Sequence, residues 1–106
     1  MRQVKTYDGS FVTVTDEVID HIQRKHPEML SSEGFTREQL FSSILQALEK
    51  PTEVYADARG SMYFLRKLND LCLNIIVARN TVKTAYLMGE STYARMGKIR
   101  WLRRLY

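Results

Sequence analysis

The feature that most constrains this chain is a change of period at Pro51. Before that proline, apolar residues recur at helical spacing; after it, four short runs rich in β-branched and aromatic residues follow one another, separated by tight-turn pairs. The runs are Glu53 to Ala56, Met62 to Lys67, Leu71 to Ala78 and Thr81 to Leu87. Arg59-Gly60, Asn69-Asp70 and Arg79-Asn80 mark the turns between them. Connections this short join antiparallel neighbours, so the second half reads as a four-stranded antiparallel meander. Helices followed by strands place the chain in the α+β class.

The first half supplies the layer that this sheet needs. Residues 2 to 14 read as an N-terminal hairpin turned at Asp8-Gly9, where glycine tolerates positive φ. Thr15 is a helix N-cap, Asp16 and Glu17 suit the positive end of the dipole, and Val18, Ile19 and Ile22 form the apolar stripe. Pro27 stops that helix, and residues 28–35 read as a loop. A second helix begins at Thr36, whose pairing with Gln39 has the capping-box pattern, and Leu40, Phe41, Ile44, Leu45 and Leu48 bury one side of it. Past Leu87 a final helix is expected from Ser91 or Thr92, interrupted at Gly97, with Ile99, Leu102, Leu105 and Tyr106 on one side and Arg100, Arg103 and Arg104 on the other. The expected architecture is thus a hairpin, two helices packed on a four-stranded antiparallel sheet, and a C-terminal basic helix.

A chain of 106 residues is the size of a single domain, here residues 1–106. Its hydrophobic fraction, 44%, separates it from disordered chains. The formal charge of +4 arises wholly at one end: residues 91–106 hold five bases and no acid, while the rest carries eleven bases against twelve acids. A basic cluster suits a phosphate-rich partner, and equally a solvated face. Cys72 is the only cysteine, which excludes an internal disulfide and fits a reducing, cytoplasmic location. Apolar runs are far shorter than the roughly 20 residues of a membrane span. No glycine-rich nucleotide loop is present, which disfavours nucleotide-cofactor enzymes, and no cofactor is expected.

Two histidines, His21 and His26, are five residues apart, the wrong spacing for two ligands on one helix face, so no metal site is expected from them. Cys72 with His26 would suggest a thiol hydrolase, but Cys72 stands between Leu71 and Leu73 in an apolar run and reads as a small core residue.

Three stretches carry a resemblance. They are Ile22 to Glu28 (IQRKHPE), the helix end Ala47 to Pro51 followed by Glu53-Val54-Tyr55, and Val82 to Leu87 (VKTAYL) with Thr92 to Arg95 after it. Over about residues 15–96 the chain resembles the phage and polymorphic-toxin branch of the barnase–EndoU–colicin–RelE ribonuclease fold. The resemblance implies a metal-independent RNA-cleaving domain, with two helices on one face of a curved antiparallel sheet and the cleft on the concave side. Positions matching its motifs are His26, Thr84 and Tyr86 as catalytic residues, with Lys83, Tyr93 and Arg95 near the RNA.

The residue types suit that chemistry. Attack of a ribose 2′-hydroxyl on its phosphate needs a proton acceptor, a proton donor and cations for the phosphorane. Histidine is the side chain best adapted to proton transfer near neutrality. His26 also suits a packed helix end. Strand alternation puts Val82, Thr84, Tyr86 and Met88 on one face; Thr84 and Tyr86 are also plain strand formers. Arg66 and Lys67 occupy opposite faces of their strand, so either open face offers one phosphate-binding cation. A noncatalytic nucleic-acid-binding module using the same basic end is the competing reading. Ile99, Trp101, Leu102 and Tyr106 allow docking of an antitoxin or immunity protein, or a homodimer.

Overall fold

A computed structural model describes residues 2–26, 36–99 and 101–106. Along the chain run β1 (Arg2–Lys5), β2 (Phe11–Val14), α1 (Asp16–Lys25), α2 (Arg37–Glu49), β3 (Glu53–Ala56), β4 (Met62–Leu68), β5 (Leu71–Ala78), β6 (Thr81–Met88), α3 (Glu90–Met96) and β7 (Arg103–Arg104). The expected Pro27 stop and the loop at 28–35 lie outside the described residues.

Local chemistry accounts for most of these boundaries. The Thr15 hydroxyl accepts the Val18 N–H at 3.2 Å and starts α1. At α2 the capping box closes both ways: Thr36 Oγ1 accepts from Gln39 N at 3.1 Å, and Gln39 Oε1 accepts from Thr36 N at 2.9 Å. Gly9 (φ 89°) turns the first hairpin, whose tip is fixed by Asp8 accepting from the Thr6 hydroxyl at 2.7 Å and the Ser10 N–H at 3.0 Å. Asn69, Arg79 and Asn80 all take positive φ at the two tight turns of the meander, a conformation that asparagine tolerates best among side-chain-bearing residues.

The meander β3 to β6 is antiparallel as the turn spacing implies. The sheet is larger than four strands, however. Its order among the described residues is β1-β2-β6-β5-β4-β3-β7, and it is mixed, because β2 meets β6 in parallel at Thr13 and Thr81. A single rung of pairing, with Thr13 N donating to Asn80 O at 2.8 Å, leaves no periodic trace in the sequence.

The expected C-terminal basic helix is corrected too. The helix ends at Met96, Lys98 N and Ile99 N turn back to Arg95 O and Met96 O at 3.0 and 3.2 Å, and Arg103 and Arg104 pair with Ala56 and Tyr55 as a strand. Ile99 and Leu102 still meet on one side, because a turn in which Leu102 N donates to Ile99 O at 3.2 Å brings both onto the second core without a helix. The tail instead satisfies the backbone of β3, which otherwise would be an open edge: Leu105 N donates to Val54 O at 2.7 Å.

Two cores result. On one face of the sheet, Val18, Ile19 and Ile22 of α1 and Leu40, Ile44, Ala47 and Leu48 of α2 pack against Val12, Val14, Val54, Phe64, Leu73, Ile75, Val77, Val82 and Ala85. On the other face, Tyr55, Leu65, Cys72 and Met88 pack under Met96 of α3, with Tyr63, Tyr86, Tyr93, Ile99 and Leu102 around them. Three helices are therefore described, two on one face and a third across the other.

The register carries one further correction. Val77 pairs with Val82 but Ile76 pairs with Thr84, so Lys83 is an extra residue in a β-bulge. The bulge reverses the facing of Val82 relative to simple alternation. Val82 enters the helix-side core, whereas Thr84, Tyr86 and Met88 stay on the α3 side.

Candidate functional site

The α3 side of the sheet gathers the chemistry. Asn74 on β5 lies opposite Tyr86 on β6, and Asn74 Nδ2 donates to the Tyr86 phenol oxygen at 3.0 Å. α1 packs along β6 and ends at His26, whose ring comes within 5.5 Å of the Tyr86 ring centroid at an interplanar angle of 33°. His26 and Tyr86, far apart in sequence, are thereby brought together. The His21 ring is edge-to-face on His26 at 6.3 Å, nearer than their differing helix faces imply.

Tyr86 also walls a cavity of about 370 Å³. Strand residues Tyr63, Asn74 and Met88 line it with Tyr86, α3 contributes Thr92, Arg95 and Met96, and Ile99, Trp101 and Leu102 complete the wall. A mostly apolar hollow with a few polar groups and one cation is the ordinary form of a small-ligand pocket. Arg95 Nη2 donates to Thr92 Oγ1 at 3.4 Å, which directs the guanidinium along the cavity side of α3. Tyr63 donates to Asp57 Oδ2 at 2.9 Å; burial first, and then that carboxylate, push its phenol pKa up.

Other nominated residues stand apart from this group. Arg66 is on the helix face, where Nη1 donates to Lys50 O at 2.5 Å and satisfies the C-terminal end of α2. Lys67 is on the α3 face, but its ammonium lies over the Tyr93 ring, 4.6 Å from the centroid, beside a neighbouring cavity of about 340 Å³. Lys83 is exposed at the bulge. The Thr84 hydroxyl shares the Tyr86 face, buried and without a hydrogen-bond partner.

Asn74, Glu53 and Trp101 were not among the nominated site residues. Asn74 is 0% exposed, a polar residue inside the apolar run Leu71 to Ala78, and that anomaly was its sequence signal. Glu53, 8% exposed, accepts hydrogen bonds from Tyr55 at 2.5 Å and from Tyr93, and so ties α3 to β3. Cys72 is buried, and desolvation pushes its thiol up to about 11, in keeping with a core residue.

A larger depression, about 730 Å³, lies elsewhere, between β1, α1 and α2. Its cations are already engaged: Arg37 bonds Asp20 and Gln23, each at 2.6 Å, and Arg2 covers the Phe41 ring at 4.7 Å. It holds none of the nominated residues, and the chemistry favours the smaller cavity.

Among the described residues no cluster of His, Cys, Asp and Glu is arranged to hold a metal ion, and no helix is long and apolar enough to cross a membrane. No protein-family model, curated protein or solved structure matches the chain.

Proposed function

We propose that the protein is a metal-independent RNA-cleaving domain whose site is the His26–Tyr86 pair and the cavity beside it. One observation carries the reading: a histidine ring and a tyrosine ring meet at 5.5 Å, and the same tyrosine lines a ligand-sized cavity with Arg95. These groups match the needs of transesterification. The 2′-hydroxyl loses its proton and attacks the adjacent phosphorus, the bond to the 5′-oxygen breaks, and that oxygen leaves with a proton; the product ends in a 2′,3′-cyclic phosphate. His26 is the proton-transferring group. The Tyr86 phenol accepts its hydrogen bond from Asn74, which leaves its own O–H to point elsewhere and donate to phosphate. Arg95 supplies a planar cation for the phosphorane.

The nominated set thus narrows. Lys83, Lys67 and Tyr93 serve the flanking backbone of the RNA. Arg66, bound to Lys50 O, is structural. Thr84 flanks Tyr86 on the same strand face, two residues away, and its buried hydroxyl is a second donor for the site.

The test compares an oligoribonucleotide with its 2′-deoxy counterpart in EDTA. Cleavage of the first alone, leaving cyclic phosphate ends, is the expected result. Cleavage of neither supports the noncatalytic binding module, which has its own observation in Trp101: 62% exposed beside Arg95, it offers a stacking surface for single-stranded bases.

A further inference from the structure

We propose that Asn74 is the base-reading residue of this cavity and that it selects nucleobases carrying an exocyclic amino group, cytosine over uracil in particular. The inference rests on the reading that a ribonucleotide occupies the cavity, and goes beyond it by naming which base.

Asn74 lies at the centre of β5 with no solvent exposure, and both of its amide hydrogens have acceptors: the Tyr86 phenol at 3.0 Å and the Met88 sulfur at 3.9 Å. Its carbonyl oxygen, Oδ1, has no partner. A buried, unpaired carbonyl costs stability, and the strand residues on either side of Asn74 on the same face are Cys72 and Ile76, so an apolar residue would fill the place without that cost. The amide is worth keeping where a donor arrives from the cavity that Asn74 lines.

The lining of the cavity suits a flat heterocycle. Tyr63, Tyr86 and Trp101 bring three aromatic side chains to it and Leu102 an aliphatic one. A base stacked there brings its polar edge to the floor, where Oδ1 accepts. Cytosine offers an amino N–H at that edge; uracil has a carbonyl in the same place, and two acceptors then face each other. The Met88 thioether, unbranched and with freely turning bonds, is the floor group that yields as the base comes in. Arg95 then stands at the phosphate.

Titration calorimetry of the full chain with cytidine 3′-monophosphate and uridine 3′-monophosphate tests the assignment without relying on cleavage. Wild type is expected to bind the cytidine nucleotide about tenfold more tightly, the scale of one buried hydrogen bond. In Asn74→Leu that ratio falls to about one while Tm stays at or above the wild-type value. Equal binding of the two nucleotides by wild type, or binding of neither, overturns the proposal. So does an Asn74→Leu protein with lowered Tm and an unchanged ratio, the signature of a purely structural amide. Should that variant fail to fold, adenosine and purine-riboside 3′-monophosphates on wild type decide, because they differ by the amino group alone: a preference for adenosine upholds the proposal and its absence overturns it. The two readings fail separately. Base discrimination without cleavage removes the catalytic reading only, and cleavage without base discrimination removes only the role of Asn74.

Discussion

At the scale of single residues, the α3 face is decided by a few polar atoms placed among apolar neighbours. Glu53 holds two phenols, Tyr55 and Tyr93, and the second of these is the polar tie between α3 and the sheet. Tyr93→Phe removes that donor and leaves a buried carboxyl partly unsatisfied, with an expected loss of roughly 1–3 kcal/mol in denaturant unfolding. A loss below a few tenths of a kcal/mol would show that α3 is held by Met96, Ile99 and Leu102 alone. Cys72 yields a chemical prediction of a different sort. With its thiol pushed up to about 11 by burial, almost none is thiolate at pH 8, so Ellman's reagent should react only after unfolding. Fast labelling of the native protein would contradict its placement in the core. Residues of this kind were unevenly legible in the sequence. His26 and Tyr86 stood out by type and motif, but their meeting depends on α1 running beside β6, a tertiary fact with no local signal. Asn74 was visible as an anomaly in an apolar strand; its meaning needed the register that puts it opposite Tyr86.

Among the elements, those dictated by local chemistry were read correctly and those made by long-range pairing were not. The capped helices starting after Thr15 and Thr36, and the four strands of the meander, follow from side-chain caps, spacing and turn residues that act within a few positions. The one-rung contact of β2 with β6, Thr13 with Thr81, and the strand at Arg103–Arg104, paired with Ala56 and Tyr55, arise from partners distant in the chain; the bulge at Lys83, inside the β5–β6 hairpin, is the local exception, an irregularity that strict alternation does not register. A tail that fits a helix by its apolar spacing became a strand because β3 had backbone groups to satisfy. The first hairpin carries a prediction of pH dependence. The Thr6 hydroxyl, together with Ser10, holds the Asp8 carboxyl below its ordinary value of 3.8. A carboxyl depressed in the folded state stabilises it above the unfolded value, and that contribution disappears as pH falls through the folded one. Asp8→Asn should therefore be slightly less stable than wild type at pH 7, with the difference shrinking below about pH 4. A gap in Tm that stays constant from pH 7 to pH 3 would assign the effect to the turn's shape rather than to its charge.

Taken whole, the molecule is a sheet with a different kind of core on each side. The helix side is apolar, largely aliphatic around Phe64, and covered by α1 and α2; the α3 side mixes tyrosines, a buried amide, a buried acid and a thioether around cavities. Such polar content is costly in a purely structural layer and fits a surface that works. Arg100 lies outside the described residues, and the described basic C-terminal residues do not form one helical stripe. Arg95 faces the cavity from α3, while Arg103 and Arg104 follow the sheet edge beside β3. Removing residues 98–106 would consequently strip β3 of its outer partner, leaving only β4, and take Leu102 from the second core, so a docking role for the tail is better examined with Trp101→Ser. The central claim, that His26 and the neighbouring cavity cleave RNA, is tested most directly by initial rates of oligoribonucleotide cleavage in EDTA for wild type and His26→Ala at matched folded fraction. The account predicts measurable wild-type cleavage and a variant slower by about 10²–10⁴ with Tm little changed; equal rates for the two proteins would contradict it.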